Sequence, residues 1–435
     1  MLGSGATLGT LEQAMRAALA ASGARLLQAV LDDGDDGYAG PRAKCAAGHQ
    51  ANYAGSRPRA VTTVLGPLRL SRAWYHCAAC KRGFVPSDRQ LGLLPGGSLS
   101  PGLAEMTALA GAEVSFARAA ALIAGLAGIT LSARTIERSA EATGAAARSA
   151  TAAEASAITA RAVVPPPAGA GPGHALRRSR RHRRPRPRQR DRRAGGQVRR
   201  RSAGTREVKL ARLFTVSRLD QDGRPVTDPG SSTYAFSFDG KDALAALVKA
   251  EYLRRGGEHF RQVVAIGDGA AWIWGMAEDL YPQATHITDI YHAREHLHDL
   301  AAHLAFITPD PPQWLAERSE ELDAGNVEAI ITAARHYPLA GVRAKELERK
   351  LGYFERNAHR MRYQHFRNLG MFIGSGHIEG AIKAVVVQRA KQSGMHWSVE
   401  GASSIIARRT HHASGRWDEL WPASATGTTQ LPTAV

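Results

Sequence analysis

Gln262-Val-Val-Ala-Ile-Gly-Asp-Gly-Ala-Ala-Trp-Ile-Trp274 is the most informative stretch of the chain. It opens with a short apolar, β-branched run and stops at Gly267-Asp268-Gly269. That pattern predicts a buried strand with a carboxylate at its C-terminal end. Open α/β sheets place their chemistry at such strand ends. Working outward, Val208 to Val216 and Ser231 to Phe238 read as strands, and Thr285 to Ile290 as a shorter one ending near Asp289. Residues 293–370 are charged and helical in pattern. Residues 377–411 read as one or two helices rich in basic residues, and the tail after Pro422 as disordered. The second half of the chain is therefore expected to be α/β.

The first half has a different character. Residues 8–31 space Leu11, Met15, Ala18, Leu26 and Leu27 as a helix does. Glu12, Arg16 and Arg25 interrupt this alanine-rich start, which suits an amphipathic helix rather than a signal peptide. An acidic, glycine-rich break runs from Asp32 to Gly40. Residues 41–95 then alternate as short strands: Val61-Thr-Thr-Val64, Leu68-Arg-Leu70 and Ala73-Trp-Tyr75. From Pro101 to about Ser149 the composition predicts several helices, with breaks at Gly125 and Gly128. A linker, Pro165 to Pro172, follows. No run of about 18 apolar residues offers a membrane span. Three cysteines exclude a disulfide scaffold and point to the cytoplasm.

The net charge of +18 suggests a nucleic-acid partner, but its distribution matters. Fourteen arginines and one acid, Asp191, lie between Leu176 and Arg201, so this run alone carries +13. The global basicity is mostly one local anomaly.

Cys77-Ala-Ala-Cys80 is a turn-forming pair that follows a Trp-Tyr-His strand, and Cys45 with His49 lies upstream. Zinc needs four soft ligands supplied by two such turns. Cys45, His49, Cys77 and Cys80 are the candidate set; a ribbon that has lost its metal is the other reading. Between Ser115 and Ala140 the sequence predicts a helix pair, with Ser132 as the N-cap of its second helix. Arg134, Thr135 and Arg138 would then face a major groove. Such pairs are also common in bundles that never touch DNA.

Three acidic segments remain: Asp268 in the opening stretch, Asp289-Ile-Tyr-His292 followed by Glu295-His296, and Gly374-Ser-Gly-His-Ile-Glu379. Carboxylates on two strands and one helix suit a two-metal nuclease, which holds two magnesium ions about 4 Å apart. Singly, each is weak: a lone Asp-Gly is more often a turn, and Asp289 to His292 also reads as a strand-end cap with a core histidine.

Taken together with Gln388-Arg-Ala-Lys-Gln-Ser-Gly-Met-His-Trp397, Gly415-Arg-Trp-Asp418, Cys77-Ala-Ala-Cys80-Lys-Arg-Gly-Phe84 and Thr205-Arg-Glu-Val-Lys-Leu210, these segments closely resemble the ISKra-type insertion-sequence transposases. The resemblance spans roughly residues 8–421. It implies an RNase-H-like catalytic core with a helical insertion near 293–370, an Asp-Asp-Glu triad and magnesium (or manganese). It also implies double-stranded DNA partners (terminal inverted repeats and target), self-association on paired ends and a place on the bacterial nucleoid. Asp268 corresponds to the second triad carboxylate and Glu379 to the third, with Asp289 and His292 in a supporting motif. Arg389 and Lys391 are further candidate DNA contacts. The implied organisation is an N-terminal helix (1–40), a zinc-ribbon-like module (41–98), a helix-turn-helix region (99–160), a linker with the arginine run (161–205), the core (206–421) and a tail (422–435).

The match breaks at the first aspartate. The family places it in a strand of the form Tyr-Val-x-x-Asp-Gly-Thr-Gly, but Leu176-Arg-Arg-Ser-Arg-Arg-His-Arg-Arg-Pro185 stands there, from which no strand core is expected. Codons encoding these ten residues can be chosen that, read one nucleotide later, give Tyr-Val-Ala-Val-Asp-Gly-Thr-Gly-Val. The lost aspartate would then straddle the codons of Arg180 and Arg181, in a frame shifted from near Gly173 to near Ser202. A genuine arginine-rich arm for phosphates is the competing reading. Asp239, in Phe238-Asp-Gly240, is a weaker replacement carboxylate. The expected outcome is a transposase impaired by this loss, or a transposase-derived DNA-binding protein.

Overall fold

A computed structural model describes residues 7–34, 36–94, 96–160, 206–374, 376–391 and 395–421, with residues 174–178 and 377 by their backbone alone. Most of the linker and arginine run, and the tail beyond 421, lie outside the described residues. The chain is mixed α/β and divides into two units, one up to Ala146 with the stretch from Asp418, the other Ala147–Trp417. The division falls inside a single long helix, α5 (Ala133–Thr159), rather than at the expected boundary after residue 160.

In the first unit, α1 (Leu8–Asp32) starts at a reciprocal cap, in which Thr7 Oγ1 accepts from the Thr10 N–H at 3.2 Å. Strands β1 (Arg42–Lys44), β2 (Gln50–Ser56), β5 (Ala73–Cys77) and β6 (Arg82–Phe84) form an antiparallel sheet in the order β1-β2-β5-β6. Strands β3 (Arg59–Thr63) and β4 (Gly66–Leu70) form a separate hairpin. Asp88 in α2 (Pro86–Gln90) accepts ion pairs from both Arg59 (2.9 Å) and Arg72 (2.7 Å), tying that hairpin to the short helix. Helices α3 (Pro101–Glu113), α4 (Phe116–Ala127) and the start of α5 bury Leu103, Ala119, Ile123 and Ile136 against one another. Gly128 ends α4 in the left-handed region at φ 70°, a conformation that favours glycine. Gly125, expected to break the helix, lies within it.

The second unit is built on one sheet. Its strands are β7 (His174–Arg178), β8 (Lys209–Leu219), β9 (Pro225–Thr227), β10 (Thr233–Ser237), β11 (Val263–Gly267) and β12 (Thr285–Thr288). The path is β10-β8-β7-β11-β12, with β9 paired to β8. Along the path only β8 runs against the others: it is antiparallel to β10 and β7, while β7, β11 and β12 are mutually parallel. A strand at β7 corrects the expectation that none forms in the arginine-rich stretch. Leu176 pairs with Ala265 on one side and Leu213 on the other, so its neighbours supply the ladder that its own composition does not predict.

Residue alternation divides the helices between two faces. On β8, Ala211 and Leu213 join Ala235, Leu244, Val248 and Tyr281, covered by α6 (Lys241–Arg254) and the end of α7 (Ala271–Leu280). Leu210 and Phe214 face the other way. Leu210 meets α13 (Gly376–Ile382) and the helix α15 (Val399–Ala413). Phe214, Val264 and Ile266 meet a helical layer of α8 (Ile290–Leu304), α9 (Pro311–Ala324), α10 (Val327–Arg335), α11 (Gly341–Asn357) and α12 (Tyr363–Asn368). Between α13 and α14 (Gln388–Ala390) lies a π turn, Lys383–Val387. No helix among the described residues is long and apolar enough to cross a membrane.

Candidate metal centre and candidate active site

The four candidate zinc ligands converge from two turns. One joins β1 to β2 and holds Cys45 and His49, with Gly48 at φ 80°; the other joins β5 to β6 and holds Cys77 and Cys80, with Lys81 at φ 53°. Antiparallel pairing of β2 with β5 brings the turns together. Cys45 Sγ lies 3.8 Å from Cys80 Sγ, and His49 Nδ1 lies 3.2 Å from Cys80 Sγ and 3.9 Å from Cys77 Sγ. All four ligand atoms fall within 4.8 Å of one another. A tetrahedral zinc with Zn–S bonds of about 2.3 Å sets its sulfurs about 3.8 Å apart, so the donor set fits that ion in both type and spacing.

The thiols of the cluster differ in how tightly they hold their protons. The Cys80 thiol is pushed up to about 11 by its hydrogen bonds with Cys77 and Cys45. At Cys45 burial works upward, but hydrogen bonds with the backbone of Ala47 and His49 and with the side chains of Cys77 and Cys80 together hold the thiol below its usual range. A divalent ion would displace these protons, so its affinity rises with pH.

The carboxylate segments sit at the C-terminal ends of β11 and β12. Asp268 follows β11, and its Oδ1 accepts from the Ala270 N–H at 3.0 Å. Asp289 is fully buried and caps α8, with Oδ1 accepting from the Tyr291 N–H at 2.9 Å. Its own N–H donates to the Gly267 carbonyl at 2.7 Å, fastening the two strand ends together. His292 Nδ1 lies 3.0 Å from Glu295 Oε2.

Sequence reasoning missed the residue around which these groups gather. Tyr353, in α11, donates from its hydroxyl to the Asp268 carbonyl at 3.3 Å and stacks on His296 at 3.6 Å between ring centroids. Gly269, at φ 89°, permits this approach: a Cβ there would lie 2.7 Å from the tyrosine ring. Burial first, and then the charges of Asp268, Asp289 and Glu295, hold the Tyr353 hydroxyl above its ordinary range. Burial and then His292 hold His296 below its own. No motif announces Tyr353, because a helix 85 residues away in sequence delivers it.

Glu379 lies exposed in the first turn of α13. Among the described residues, Cys45, His49, Cys77 and Cys80 alone gather three or more ligand atoms within 4.8 Å, so Asp268, Asp289 and Glu379 do not meet around one ion. The positions expected to encode the first aspartate, 180 and 181, lie outside the described residues. Strand β7, which leads to them, pairs Arg177 with Ile266, two residues before Asp268. Asp239 does not replace the missing group. It follows β10, three strands from β11 in the sheet, or about 14 Å at the usual strand spacing.

The basic candidates separate into two classes. Arg134 and Arg138 are exposed on α5; Arg134 pairs with Glu137 at 3.3 Å, and Thr135 is bound to Ser132, which caps the helix as expected. Arg389 is a correction: it is fully buried, 4.7 Å from the Trp397 ring and 3.2 Å from Met395 Sδ, and cannot reach DNA in this state. Arg408 and Arg409 are buried too. Arg409 donates to the Val385 carbonyl at 3.0 Å, inside the π turn, where the widened helix presents carbonyls to a long donor. Lys391 is half-buried. No protein-family model matches the chain, and no curated protein matches it.

Proposed function

We propose that the chain is a transposase-type DNA-binding protein whose two-metal site is incomplete. The observation that carries this reading is the parallel trio β7, β11 and β12, with Asp268 and Asp289 at the ends of two strands and arginines where the third should lead to an aspartate. A mixed sheet with only β8 reversed along its path, covered by helices on both faces, fits an RNase-H-like core. The thiol cluster and the exposed Arg134 and Arg138 fit DNA-contacting modules ahead of it.

Asp268 and Glu379 would be the remaining members of the triad. With the first member lacking, they would supply two of the three carboxylates that a two-metal site uses. The reading includes double-stranded DNA as partner, self-association on paired ends and a nucleoid location.

Fluorescence anisotropy with the inverted repeats that flank the gene tests the DNA reading. Binding to those repeats should exceed binding to unrelated duplex and fall steeply with salt. Equal, weak binding to every duplex would contradict it. The gene sequence across codons 165–210 tests the frame-shift account: a displaced frame lacking the Tyr-Val-x-x-Asp-Gly-Thr-Gly pattern would sink it.

A further inference from the structure

A cleft of about 1160 Å³ opens beside the Asp289 end of β12. One wall is the start of α8, a second is α12 with the segment after it, and a third is the tip of the β8–β9 hairpin. Tyr291 is 52% exposed in this cleft, while Ile290 and Ala293 beside it are buried. Its ring rests on Gly374, where a Cβ would come within 2.7 Å of the ring, so the glycine makes room for it. The Ile290 N–H donates to the Ile373 carbonyl at 3.0 Å and holds the two walls in register.

Charge and hydrogen-bonding groups flank the ring. Arg294 Nη2 donates to both carboxylate oxygens of Asp323, at 2.7 and 2.6 Å, and Arg367 shares the same carboxylate at 3.9 Å. Two guanidinium groups thus face one carboxylate, leaving one positive charge in excess. On α12, Gln364 Nε2 donates to Asn368 Oδ1 at 2.9 Å, which presents an amide pair on the cleft wall. The hairpin wall carries Asp220, Asp222 and Arg224, with Arg224 paired to Asp222 at 3.3 Å, so one negative charge is left in excess there and disfavours phosphate.

We propose that this cleft takes an unpaired nucleotide of a DNA strand. The base stacks on Tyr291, the Arg294–Arg367 pair meets its phosphate, and the Gln364–Asn368 amides meet the base edge. Stacking on an exposed ring suits any base, and excess positive charge on one wall alone suits one nucleotide rather than a duplex backbone. The inference rests on the DNA-binding reading above.

The test measures anisotropy of the full chain with a labelled blunt duplex, the same duplex with a short single-stranded overhang, and an overhang whose bases are removed. The overhang should bind about tenfold more tightly than the blunt duplex, from base stacking. Tyr291→Ala should erase that preference and Tyr291→Phe keep it. The abasic overhang should behave on the unaltered protein as the intact overhang does on Tyr291→Ala, an arm that needs no variant to fold. Equal binding of overhang and blunt duplex would overturn the cleft proposal and leave the DNA reading standing. Equal losses in Tyr291→Ala and Tyr291→Phe would also overturn it. Failure to bind either DNA would overturn both.

Discussion

The thiol cluster and the carboxylate-bearing strand ends are both announced by short motifs, yet among the described residues only the first gathers three or more ligand atoms within 4.8 Å. The difference lies in how each is built. Each half of the thiol cluster comes from one tight turn, and one antiparallel pairing, β2 with β5, joins them. The carboxylates stand at the ends of β11 and β12 and on α13, three elements separated by long stretches of chain. A turn-built site depends on one local pairing, whereas a sheet-built site depends on several strands distant in sequence.

The largest expected effect sharpens the turn-built side. Cys77→Ser should reduce bound zinc from about one ion per chain to near none. It should also remove the first unit's thermal transition, since structural zinc in small modules contributes about 10–16 kcal/mol of apparent binding energy. Elemental analysis and calorimetry with and without a chelator read both. An unchanged melt after metal removal would break the comparison, because the ribbon would then stand on its apolar core.

Next comes a contrast between two arginines that look alike in sequence. Arg389→Ala should destabilise the second unit by about 2 kcal/mol or more, because its buried stem and its place by Trp397 are lost. Arg134→Ala, on an exposed helical face, should leave the melting temperature unchanged and weaken DNA binding. A reversal of the two outcomes would show that the buried arginine is released when DNA binds.

A smaller effect is expected at Asp289. Asp289→Ala removes the α8 cap and should cost about 1–2 kcal/mol, while Asp289→Asn should keep most of it. Equal losses would mean that the carboxylate's charge, and not its hydrogen bond to the Tyr291 N–H, stabilises the start of α8.

The smallest effect is one of pH. His296 has its pKa lowered in the folded state, so the unfolded chain binds its proton more readily. Stability from this residue is present above the unfolded value, about 6.5, and falls as the pH drops below it. His296→Phe keeps the stack on Tyr353 and should flatten the denaturant midpoint between pH 7 and pH 5, values chosen to bracket that pKa.

What could be read from sequence follows the same division. The strands ending at Asp268 and near Asp289 were legible because an apolar run stops at a polar turn. The thiol set was legible because its spacing is local. Strand β7 was not: Leu176-Arg177-Arg178 lacks any strand pattern, and pairing with β8 and β11 defines it. Arg389 reads as a DNA contact in sequence, since nothing local reveals that it is buried beside Trp397. Tyr353 was invisible for the opposite reason: nothing local distinguishes it from any core tyrosine.

The central claim, a DNA-binding protein of transposase type with an incomplete carboxylate set, is tested most directly by incubating the full chain with the gene's flanking inverted repeats and magnesium. The repeats should be bound and remain uncut, with Asp268→Ala binding as the unaltered chain does. Strand cleavage that requires magnesium and disappears in Asp268→Ala would contradict it.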